Sequence, residues 1–194
     1  TATQQLAMTL WTFLAFALDA IAIAAQAITG RYLGAGNLDV TRAVTDRMVR
    51  WGLLSGVVTG LGLAAAAPFV GVLFTNDTAV RDLLLPVLLV AAVFQPVAGV
   101  VFVLDGVLIG AGDVRYLAGA MAAASFLVFT PAALAVLALD GGLLWLWGAI
   151  CLFMGARLVG NVGRFLGGGW LVTGAVRSYS QDQGGVVRHL RARR

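Results

Sequence analysis

Lysine and glutamate are absent from this 194-residue chain: its thirteen bases are all arginine and its nine acids all aspartate. We read that bias as a codon preference of the source rather than as function, although it removes the lysine that a phosphate-binding loop uses. Cysteine occurs once, as Cys151 within an apolar run, which excludes a disulfide framework and a thiolate metal cluster. Histidine also occurs once, as His189. No Ser–His–Asp, Cys–His or metal-spaced grouping accompanies it, so the chain reads as a non-enzyme with neither metal nor cofactor. Charge is scarce too. Only 11% of residues are charged, 60% are hydrophobic, and the mean hydropathy is +0.94. A soluble domain of this size cannot bury so much apolar surface.

What the chain has instead is five long apolar runs, at 5–29, 49–74, 83–109, 117–139 and 143–169, whose only formal charges are Asp19, Arg50, Asp105, Arg157 and Arg164. A run of about 20 apolar residues matches the roughly 30 Å hydrocarbon core of a bilayer. Within lipid, a helix satisfies every backbone polar group internally. We therefore expect an all-α integral membrane bundle of five transmembrane helices over 1–172, followed by a basic tail at 173–194. The first run has no basic leading segment and is followed by further spans, so it does not read as a signal peptide. The net charge of +4 would suggest nucleic acid in a soluble protein, but here the placement of each arginine matters more. Ten arginines fall on the side of the C-terminus and one on the other, with Arg157 and Arg164 inside the last span. The positive-inside rule then places the C-terminus in the cytoplasm and the N-terminus outside. An odd span count, with a start at Thr1, suggests a preceding helix missing from this sequence.

The joints and small residues carry further pattern. Within 30–48, Asn37 can cap a short helix bearing Arg42–Asp46 and Asp46–Arg50 pairs, or the segment can simply extend the second span. Gly52, Gly56 and Gly60 recur every four residues, the spacing that lets membrane helices approach closely. Pro86 and Pro96 in the third span and Pro131 in the fourth each remove a helical hydrogen bond; we expect a static kink at Pro131 and possible bending points at the other two. Gly34-Ala35-Gly36-Asn37 and Gly110-Ala111-Gly112-Asp113 echo one another as helix C-termini. Neither follows a strand or carries lysine, so neither is a nucleotide site.

Polar groups inside the runs are the candidates for function. Gln5, Thr12, Asp19 and Gln26 lie seven residues apart on one face of the first span, with Thr9 beside them. An aspartate at the bilayer centre costs about 2.5–3.5 kcal/mol, so this face should look onto a cavity or other helices. Asp19 is either a protonatable coupling group or half of a fixed pair. Asp105, ten residues after Gln95, reads as structural. Arg157, Asn161 and Arg164 share one face of the last span; Arg157 needs a carboxylate, Asp19 or Asp105, and Arg164 can reach the headgroups. The basic tail would anchor to anionic lipid.

Several of these stretches resemble one family. They are Ala17-Leu18-Asp19-Ala20-Ile21-Ala22-Ile23-Ala24-Ala25-Gln26 running on to Gly30-Arg31-Tyr32-Leu33-Gly34-Ala35-Gly36-Asn37, then Leu73-Phe74-Thr75-Asn76-Asp77. Gln95-Pro96, continuing through Phe102-Val103-Leu104-Asp105-Gly106 to Asp113, is the third. Together they resemble the MATE (multidrug and toxic compound extrusion) transporters, DinF-like branch, over nearly the whole chain to about residue 170. The resemblance implies the C-terminal lobe of a two-lobe, twelve-helix exporter, from the eighth helix through the twelfth, partnered by an N-terminal lobe. It implies export of organic, often cationic, compounds against protons or sodium ions, in a bacterial cytoplasmic membrane. Substrate would meet Gln26, Phe94, Gln95 and Asp19 in the cleft between lobes, and Asp105 matches the branch pattern. The acid that sodium-coupled relatives carry in their tenth helix falls near Ala98 here. A lipid-linked saccharide flippase of the same superfamily, or a non-transporting half-size partner or remnant, are the rival readings.

Overall fold

A computed structural model describes residues 2–74 and 76–173. The chain runs as α1 (Ala2–Gly34), α2 (Leu38–Phe74), α3 (Thr78–Gly110), α4 (Val114–Ala123), a π-helical segment (Ala124–Phe129), α5 (Thr130–Ala138) and α6 (Gly142–Gly167). With α4, the π segment and α5 forming one span, five helices are long and apolar enough to cross a membrane. The all-α, five-span expectation holds. The predicted tail at 173–194 lies, beyond Thr173, outside the described residues.

Helix ends depart from the expected borders because polar residues at the joints continue the helices instead of forming loops. The segment 30–48 contributes no separate helix: α1 persists to Gly34 and α2 begins at Leu38. Among the described residues the pairs Arg42–Asp46 and Asp46–Arg50 do not close as ion pairs. The two Gly-Ala-Gly joints have one geometry. Gly36 (φ 75°) and Gly112 (φ 76°) adopt the left-handed conformation that a side chain resists. The next amide then bonds back to the helix, Asn37 N–H to Tyr32 O at 3.1 Å and Asp113 N–H to Leu108 O at 2.9 Å.

The second helix of the hairpin α2–α3 sits at the centre of the bundle. With lipid outside, no hydrophobic drive brings helices together, so close backbone approach must supply the attraction. Gly52, Gly56 and Gly60 of α2 are buried against Gly99, Gln95 and Ala92 of α3. A Cβ added at Gly52 would lie 2.7 Å from Gly99 O, and one at Gly60 2.6 Å from Ala92 O. On another face of α3, Gly106 and Gly110 lie against the backbone of Ala22 and Gln26 of α1. Pro86 and Pro96 interrupt neither α3 nor its packing.

Three clusters of buried side chains stack along the bundle. Trp147, Leu84 and Leu88 anchor the end near the N-terminus, Leu18, Val101 and Met154 the middle, and Trp170, Val107 and Leu117 the arginine-rich end. Polar edges of the aromatic groups are satisfied: Trp147 Nε1 donates to Gln4 Oε1 at 3.0 Å and Trp170 Nε1 to Phe165 O at 2.9 Å. The fourth span is the loosest. Its π segment precedes Pro131, where the Thr130 amide bonds to Ser125 O, five residues back. That wide turn makes room for a ring that would otherwise meet the carbonyl of the preceding turn.

Candidate functional site

The polar stripe of α1 is open. Ala7, Leu18, Ala22 and Ala25 bury one side of this helix, while Gln5, Thr9, Thr12, Asp19 and Gln26 all lie exposed on the other flank. Thr9 donates its hydroxyl to the Gln5 backbone carbonyl at 2.8 Å. Gln5, Thr9 and Thr12 line a concavity of about 450 Å³ with Met8, Phe13 and Phe16. These three apolar residues were missed by sequence reasoning, although they fall one turn or less from the stripe. A cavity with aromatic walls and a few hydroxyl and amide groups suits an organic molecule. The stripe looks away from this chain's other helices, not onto them.

Contrast comes from α2. From Trp51 to Leu73 every exposed residue of that helix is apolar, as expected of a surface that meets acyl chains. An intramembrane flank carrying two glutamines, two threonines and an aspartate is therefore a different kind of surface, one that needs a polar or aqueous neighbour.

A second polar constellation is closed. Asp105 of α3 forms an ion pair with the Arg157 guanidinium (Nη2 to Oδ2), and Asn161 Nδ2 donates to Oδ1 at 2.7 Å. Arg157 also points Nη1 at Met154 Sδ, 3.6 Å away, and lies 5.5 Å from the centre of the Phe153 ring. Of the two carboxylates considered for Arg157, it takes Asp105; Asp19 stands elsewhere, on the open flank of α1. Arg164, expected to reach the headgroups, has partners within the chain. Its Nε donates to Asp113 Oδ2 at 2.7 Å, Nη2 reaches Gly169 O, and the guanidinium sits 4.8 Å from the centre of the Tyr116 ring. The physical reason is proximity: the turn after Gly112 delivers Asp113 to α6, and Tyr116 ties α4 there by donating to Gly160 O at 2.7 Å.

Gln95 departs from its expected place in a cleft. It is buried between α3 and α2 because the glycines of α2 leave no side chains to hold the helices apart, and its Oε1 has no hydrogen-bond partner among the described residues. Phe94 is half-buried. The site residues thus fall in four places: Asp19 and Gln26 on the open flank of α1, Gln95 under α2 with Phe94 beside it in sequence, Asp105, Arg157 and Asn161 between α3 and α6, and Arg164 on Asp113.

Comparison with known proteins agrees with this architecture. The MatE family model matches residues 1–134. Among curated relatives from Arabidopsis thaliana, Protein DETOXIFICATION 44, chloroplastic is 34% identical over 165 residues, covering 82% of this chain and 30% of the relative. Protein DETOXIFICATION 43 is 30% identical over 164 residues, with 84% and 31% covered. Protein DETOXIFICATION 45, chloroplastic is 25% identical over 170 residues, with 85% and 29% covered. No solved structure matches the chain. The chain spans about 30% of the length of the curated relatives it matches. Matched over more than half its length and as a multi-pass helical bundle, this chain belongs to the MATE family of transporters.

Proposed function

We propose that this chain is the C-terminal lobe of a secondary active exporter of organic, often cationic, compounds. A second, N-terminal lobe would face the open flank of α1, and alternating access between the lobes would carry substrate out against protons or sodium ions. The observation that carries this reading is the exposed polar stripe Gln5, Thr9, Thr12, Asp19 and Gln26 on a helix long and apolar enough to span a bilayer. In this reading the concavity at Phe13 and Phe16 takes the organic part of a substrate and Asp19 is the protonatable coupling group. The arginine-rich end faces the cytoplasm, following the positive-inside rule. Membership of the DinF-like branch and a place in a bacterial cytoplasmic membrane belong to the same proposal. A flippase for lipid-linked pyrophosphates draws no support from Arg157, whose guanidinium is committed to Asp105.

The test is transport by the full-length protein in inverted vesicles. Asp19→Asn should lower substrate efflux driven by an imposed proton gradient while leaving the amount of protein in the membrane unchanged. Efflux with unaltered dependence on the gradient would remove Asp19 from the coupling step.

A further inference from the structure

We infer that the arginine-rich end of α2 carries a binding site for an anionic glycerophospholipid, with the lipid phosphate held by Arg47 and Arg50 and an acyl chain lying along Leu54. The site is a concavity of about 310 Å³ lined by Arg47, Arg50, Trp51 and Leu54. Their spacing of three, four and seven residues puts all four on one face of one helix.

Two independent features say what covers this face. The first is the apolar band. Every exposed residue of α2 from Trp51 to Leu73 is apolar. At 1.5 Å per residue that band is about 33 Å long, close to the roughly 30 Å of a hydrocarbon core. Trp51, 58% exposed, therefore sits at one edge of the hydrocarbon, the level tryptophan favours. Arg47 falls one turn beyond it and Arg50 beside it, at the level of the headgroups, and Leu54 one turn inside, among the acyl chains. The concavity thus runs from phosphate depth to chain depth along a lipid's own axis.

The second feature is the charge left over. The ion pairs of Arg157 and Arg164 close on Asp105 and Asp113, but Arg47 and Arg50 are both exposed and enter no ion pair among the described residues. Asp46 is adjacent in sequence and also exposed, yet it neither lines the concavity nor pairs with either arginine. Two guanidiniums without a protein anion then face one groove, and the fork of each matches two phosphate oxygens. A free phosphate would use the arginines but not Trp51 and Leu54. A zwitterionic aminolipid could place its ammonium on Asp46, and that alternative makes the opposite prediction at this residue.

The experiment is native mass spectrometry of the full-length protein, released from detergent after addition of phosphatidylglycerol, phosphatidylethanolamine or inorganic phosphate. We expect phosphatidylglycerol to be retained over phosphatidylethanolamine, with retention falling about fivefold for each arginine replaced in Arg47→Gln and Arg50→Gln. Asp46→Asn should raise it. An Arg31→Gln/Arg115→Gln variant, at two exposed arginines outside the concavity, controls for charge lost elsewhere and should change it little. Equal loss in the control, or unchanged retention without Arg47 and Arg50, would overturn the site. So would preference for phosphatidylethanolamine that Asp46→Asn abolishes, or displacement of lipid by inorganic phosphate.

Discussion

Arg157 holds its charge in the middle of a span only because Asp105 and Asn161 meet it there. A buried pair of this kind need not add net stability, but removing one partner strands the other, at a cost of about 3–5 kcal/mol. We expect Asp105→Leu and Arg157→Met each to lower the unfolding temperature in detergent. The double variant should recover much of the loss, a coupling that a double-mutant cycle measures. If the double variant were no better than the sum of the singles, the pair would not be the source of the cost. That Arg157 requires a carboxylate is legible in the sequence, since lipid offers it no other solvent. Which carboxylate is not legible, because Asp19 and Asp105 stand at comparable depth and only helix neighbourhood decides. Arg164 illustrates the same limit. Its nearness to the helix end suggests reach to the headgroups, but nothing in α6 marks that the turn at Gly112 supplies Asp113 from a segment 51 residues away.

At the level of helices, the glycine stripe of α2 was readable from its spacing, but its partner was not. Nothing in the stripe names α3, and Gly99, which completes the contact, shares its helix with Gly106 and Gly110, which pack on α1 instead. Gly56→Ala should weaken the hairpin by about 1–3 kcal/mol through overpacking, because the added carbon would meet Pro96 Cα at 2.7 Å. Gly62→Ala is the matched control. It lies in the same helix with nothing within 4 Å and should be neutral or slightly stabilising, as replacing an exposed helical glycine usually is. Equal losses in the two variants, read as thermal unfolding, would deny the stripe its packing role. The echoing joints at Gly36 and Gly112 were legible because a left-handed helix end has a residue preference. The π segment was not: Pro131 announces an irregularity, but a wide turn has no compositional mark of its own.

Across the whole molecule, the apolar runs revealed the number of spans and the resembling stretches the family, while the use of each helix face emerged only from packing. The first helix shows the difference. Its stripe was expected to meet a cavity or other helices, and the structure turns it away from every helix of this chain. Cysteine accessibility in the full-length protein tests that flank. Thr12→Cys, in a Cys151→Ser background, should react with a charged, membrane-impermeant thiol reagent, whereas Leu61→Cys, 67% exposed but on the apolar face of α2, should not. Equal labelling would mean that the two faces meet the same medium. The π segment has a consequence for how this sequence tolerates change in length. A π turn is an α-helix carrying one residue too many, so the fourth span holds a spare residue that the others do not. Deleting Val128 should let α4 and α5 join as one α-helix, kinked at Pro131, with their outer faces still aligned. The same deletion in α3 would rotate everything beyond it by about 100° and pull Gly106 and Gly110 off α1. A deletion scan scored by membrane expression should therefore show one permissive island, at Ala124–Phe129.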